Sequence, residues 1–134
     1  AGGHPVGCAL ALEAIDIIIK EKMVENVQKL EPLFMGGLKK FEELEFIGEA
    51  RGIGLMGALE MVQDKKSKKP FNGAISIGEK VANQCIRNGL ICRPLGPSIV
   101  LCPPFITSEE EMEFMFDTLN KTLNKVFSEV RSLI

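Results

Sequence analysis

Both ends of the chain repeat apolar residues at helical spacing, and the middle does not. Met112, Met115, Phe116, Leu119, Leu123 and Phe127 recur every three or four positions, which gathers them on one stripe of a helix. Near the other end Val6, Leu10, Ala14, Ile17 and Ile18 do the same. Cys8, Leu12, Ile15 and Ile19 fill further faces there, so the first helix is expected to be buried on several sides. Its start at His4-Pro5 puts proline where a helix tolerates it best, and it is expected to end near Lys20-Glu21-Lys22. Positions 24–43 read as a second helix with Val27, Leu30, Phe34, Leu38 and Phe41 on its apolar side, and Pro32 inside it predicts a kink or a restart.

Between these helices the pattern shortens and is punctuated by glycine and proline. Residues 46–51 and 55–62 read as two strands around a glycine turn, and residues 90–93 and 98–102 as two more around a turn at 94–97. A polar, lysine-rich loop spans 63–72, followed by a helix over about 75–88 that Gly89 closes. Thr107 or Ser108 with Glu110 or Glu111 resembles a capping box that opens the last helix, expected to run to about 133. The order is helix, helix, strand pair, helix, strand pair, helix. It predicts an α+β fold: a small, mostly antiparallel sheet of about four strands, helices packed on one face, and a long helix at each terminus.

The 134 residues suit one domain, and 46% hydrophobic residues suffice for one core. A formal net charge of −2 gives no electrostatic case for a nucleic-acid or anionic-membrane partner. No apolar run approaches the roughly 20 residues that span a bilayer, and the start lacks the basic region of a signal peptide. Cys8, Cys85, Cys92 and Cys102 form no C-x-x-C pair, and one histidine is a poor supply of metal ligands. They read as reduced, mostly buried thiols of a cytoplasmic protein, with no metal site expected.

Four features invite a chemical reading. Residues 52–57 contain a literal G-x-G-x-x-G, but the following Ala58-Leu59-Glu60-Met61-Val62 alternates like a strand. A dinucleotide fingerprint must open a helix, so these glycines are read as permitting a tight turn and close strand packing. His4, alone before a helix, is open to a structural or a catalytic reading and has no evident triad partner. The twelve lysines all lie in polar runs or on the wet faces of helices, so none is a candidate for imine chemistry, which needs a desolvated amine. Arg93 follows the apolar Leu90-Ile91-Cys92 and precedes a proline. A guanidinium at the end of a buried strand needs a partner. Two partners stay open: a ligand carboxylate held in a bidentate fork, or a glutamate of the last helix.

Gly3-His4-Pro5-Val6-Gly7-Cys8-Ala9 resembles the G-H-P-V-x-C-A segment of class III aminotransferases, pyridoxal-phosphate enzymes of fold type I. Residues 48–56, Gly-Glu-Ala-Arg-Gly-Ile-Gly-Leu-Met, resemble that family's G-x-x-R-G-x-G-L-M strand pair. Gly89-Leu90-Ile91-Cys92-Arg93 and Leu101-Cys102-Pro103-Pro104-Phe105 resemble its G-[LV]-[IL]-x-R and x-x-P-P-[LF] hairpin. The blocks cover nearly the whole chain, in family order.

The resemblance implies that residues 1–134 are the C-terminal small domain of a longer enzyme, with residues 1–22 as a helix between domains. The large domain with the Schiff-base lysine would lie upstream. So would the phosphate-binding threonine of T-x-x-G-H-P, which would fall just before Ala1. Gly3 and His4 would then lie near the cofactor, and no catalytic residue is expected within the chain. Arg93 matches the family arginine that binds the substrate carboxylate. Many relatives carry Gly-Asp where Gly96-Pro97 stands, which bears on the freedom of that arginine. Histidine at position 4 points to the subgroup that moves an amino group from an ω-amino acid or amine to pyruvate. A 4-aminobutyrate or ornithine type, an aminomutase or racemase, and a stand-alone ligand-sensing or interaction domain are the alternatives. The parent is expected to carry pyridoxal 5'-phosphate and to form a homodimer or higher homo-oligomer, and the isolated segment is expected to be inactive and free of cofactor.

Overall fold

The computed structural model describes residues 2–134. Helix α1 (Pro5–Lys20) is followed by α2 (Met23–Lys40), which passes through a single 3-10 turn into β1 (Ile47–Ile53). Strand β2 (Met56–Met61), α3 (Ile77–Arg87), β3 (Arg93–Leu95), β4 (Ser98–Leu101) and α4 (Glu109–Arg131) complete the order. The four strands form one antiparallel sheet in the order β1-β2-β4-β3, as the α+β reading requires.

Alternation decides which face of the sheet is covered. Ala50, Leu59 and Ile99 are directly opposed across three strands and are at most 1% exposed. They meet a core built from Leu30, Phe34 and Leu38 of α2, Val81 and Cys85 of α3, and Met112, Leu119 and Leu123 of α4. Phe46 stacks edge-on against Phe71 and Phe127, with centroids 5.4 and 5.2 Å away. Such pairs add to plain area burial. The other face presents Glu49, Arg51, Glu60, Val100 and Arg93, all exposed or half-buried.

The helix ends follow their local chemistry. Ser108 accepts the Glu111 N–H at 3.2 Å and Glu111 accepts the Ser108 N–H at 2.8 Å, so the capping box is complete. At the end of α3, Gly89 has φ +86°. The Leu90 and Gly89 N–H groups donate to Cys85 and Ile86 carbonyls at 2.9 and 3.1 Å, the paired bonds of a Schellman stop.

Three expectations need correction. Helix α1 has no buried residue; Val6, Leu10, Leu12, Ile15 and Ile19 are each more than half exposed. It leans on α2, and among the described residues its other faces stay open. Of the kink or restart expected at Pro32, the restart is ruled out: helix α2 runs on through it. Pro32 and Gln28, whose carbonyl loses its helical donor, are both exposed, so water can serve that carbonyl. The second hairpin turn is shorter than 94–97: Pro94 lies inside β3 and only Gly96 and Pro97 form the turn. Strand β3 is an edge, bonded to β4 alone, so proline's missing N–H costs no ladder bond.

Candidate substrate-binding face

Arg93 opens β3 and is exposed, so the expected end of a buried strand is corrected to the start of an open edge. The residue before it is the inward one. Cys92 is 9% exposed and packs into the core, where the hydrogen bond to Cys85, and then burial, push its thiol well above the ordinary range. Ile91, one further back, is 87% exposed. The alternation in–out at 92 and 93 therefore points the guanidinium away from the helices.

On the open face Arg93 stands in a row with three neighbours. It is opposed to Val100, Val100 to Ala58, and Ala58 to Arg51. The two arginines differ in their partners. Arg51 is bound to Glu60 at 2.8 Å and to Glu49 at 3.4 Å, and the hydrogen bond to Glu60 raises its pKa further. Arg93 makes no ion pair or side-chain hydrogen bond among the described residues. The glutamate of α4 considered as its alternative partner is not engaged. A guanidinium with five free donors in a fixed fork is suited to a planar carboxylate or a phosphate.

The G-x-G-x-x-G residues lie in the β1–β2 hairpin, not at a helix start. Gly54 has φ +55° at the turn, and Glu31 of α2 accepts its N–H at 2.8 Å. A Cβ on Gly57 would sit 2.3 Å from Leu38 and 2.8 Å from Phe34, so this glycine lets β2 lie directly on α2. His4 caps α1 through its backbone only; its carbonyl accepts the Cys8 N–H at 3.0 Å and its side chain caps nothing. Gly3 and His4 are exposed, and no hydrogen bond joins them to Arg93. All twelve lysines are exposed, so none has the dry pocket that imine chemistry requires.

One positioning residue escaped the sequence reading. Gly78, in the first turn of α3, is buried, and a Cβ there would lie 2.2 Å from the Gly96 carbonyl oxygen. The helix thus touches the turn that follows Arg93. The available signal was a glycine inside an otherwise helical run, which costs helix propensity and marks a close approach.

Among the described residues, the open sheet face thus presents a guanidinium without an ion pair above a helix-backed core, with donors suited to an anion. Residues 1–123 match the family described as aminotransferase class-III, and the chain belongs to that family. An aminotransferase from Vibrio fluvialis, solved in a PMP-bound form, is 58% identical with a TM-score of 0.93, over 96% of this chain and 28% of that one. An ω-aminotransferase from Paracoccus denitrificans is 57% identical with a TM-score of 0.92, again over 96% and 28%. Gamma aminobutyrate transaminase 1 of Solanum lycopersicum is 38% identical over 131 residues, which are 98% of this chain and 25% of that relative. The chain therefore spans about a quarter of the length of the curated relatives it matches. Among the described residues, no helix is long and apolar enough to cross a membrane.

Proposed function

We propose that residues 1–134 form the C-terminal small domain of a pyridoxal-phosphate-dependent class III aminotransferase and supply its carboxylate anchor, Arg93. The observation that carries this reading is the exposed guanidinium without a protein partner on the open sheet face, within a chain 57–58% identical to ω-aminotransferase-type structures. The amino acceptor is pyruvate and the donor an ω-amino acid or amine, as His4 in the G-H-P segment suggests. Arg93 binds and orients the acid, and the cofactor, when bound, serves as the electron sink. Residues 1–22 connect to a large domain outside this segment, where Gly3 and His4 approach the cofactor. The whole protein is a cytoplasmic homo-oligomer in which the exposed faces of α1 are covered.

The test is Arg93→Ala in the full-length enzyme. Loss of a charge-assisted bond of about 2 kcal/mol predicts roughly a 30-fold fall in kcat/KM for pyruvate. The half-reaction of an amine without a carboxylate should keep its rate; equal losses on both would refute the assignment. A second expectation concerns the lysines. Because every one is exposed, the cofactor-binding lysine is supplied from outside the segment. Pyridoxal phosphate mixed with isolated residues 1–134 should keep the absorbance spectrum of the free cofactor. A stable, stoichiometric shift would show a lysine of this chain at work.

A further inference from the structure

We propose that Gly78 and Gly96 clamp the hairpin that carries Arg93, and that this clamp sets how well the enzyme uses a keto acid; the proposal rests on the reading of Arg93 as the carboxylate anchor. Arg93 lies between two fixed points. Upstream, Cys92 is buried beside Cys85 in the core. Downstream, the turn at Gly96-Pro97 is held from two sides. Met61 of β2 donates its N–H to the Pro97 carbonyl at 3.1 Å. From α3, the Cα of Gly78 comes so near that a Cβ would stand 2.2 Å from the Gly96 oxygen and 3.5 Å from that of Ser98. Gly96 itself has φ +57°, which suits the first position of a two-residue hairpin turn and which Pro97, with φ near −65°, can follow.

The contact is asymmetric in what can yield. Helix α3 is pinned by Ile77, Val81, Ala82 and Cys85, each at most 4% exposed. Strand β3 is an edge with one bonded neighbour. A side chain at position 78 therefore moves the turn and β3, not the helix, and Arg93 moves with them. A displacement of about 1 Å at such an anchor can cost up to about 100-fold in rate.

The full-length holoenzyme carrying Gly78→Ala is assayed beside Arg93→Ala, with pyruvate and with an amine donor that lacks a carboxylate. The expected result is a rise of about ten-fold in the KM for pyruvate, with the single-turnover rate of the amine half-reaction within about two-fold of wild type. Gly96→Ala, which has open space for its methyl but strains the turn, should give the same split and decides the matter if Gly78→Ala does not fold. An unchanged KM for pyruvate, or equal losses in both half-reactions, overturns the clamp. If Arg93→Ala is selective and the glycine variants are not, only the clamp fails. If Arg93→Ala is itself unselective, the anchor reading fails first.

Discussion

At the scale of single residues, two arginines in one row of the sheet have opposite fates. Arg51 is neutralised by Glu60 and Glu49, while Arg93 keeps its donors free. The sequence singled out Arg93 through the L-I-C-R run and placed Arg51 only within a strand-pair block; the cross-strand contact to Glu60 that separates them is not visible in linear spacing. Ser108 is a more legible case: the spacing of three narrowed the cap to Thr107 or Ser108 with Glu110 or Glu111, and the structure selects Ser108 and Glu111. Ser108→Ala should destabilise the chain by about 1 kcal/mol, read as a lower denaturation midpoint at unchanged slope. The Ser108 backbone N–H, and then its hydroxyl, hold the Glu111 carboxyl below its ordinary pKa. A group depressed in the folded state contributes stability above its unfolded pKa, and that contribution disappears as pH falls through the folded value. The cost of Glu111→Gln should therefore shrink in acid, where the wild-type carboxyl is itself neutral. A penalty that stayed constant through the carboxylate range would speak against the reciprocal cap.

At the scale of elements, local signals were read well and contacts between elements less so. The Gly89 stop of α3, the capping box and the two hairpins all follow from residues a few positions apart. Of the kink or restart expected at Pro32, the restart does not occur, because the exposed side of that helix can lend water to the orphaned carbonyl. Gly57 and Gly78 were read only in part or missed. Each makes room for a neighbour distant in sequence, Leu38 in one case and Gly96 in the other. The literal G-x-G-x-x-G shows the same limit from the other side. The strand alternation after it was enough to place a strand turn there, but not to show that Gly57 packs on Leu38 and Phe34 of α2.

At the scale of the whole molecule, the unusual feature is a long apolar helix that leans on α2 and yet, among the described residues, buries none of its own side chains. Helix α1 leaves Leu10 66%, Leu12 67% and Ile19 68% exposed, a patch of the kind that normally meets another surface. Isolated residues 1–134 should therefore self-associate with rising concentration, seen as a growing sedimentation coefficient, and Leu10→Glu with Ile15→Glu should reduce this. A wild-type segment that stays monomeric at every concentration would contradict the expectation. The sequence by itself determined the element order, the helix caps and the stripe of α4, because those depend on interactions within a few residues and on side-chain periodicity. Tertiary structure alone decided which face of α1 lacks a partner, which arginine is free, and where Gly78 touches the hairpin. Those depend on which distant segments come into contact, and a single strand's edge position or one missing layer changes the outcome without changing any local pattern.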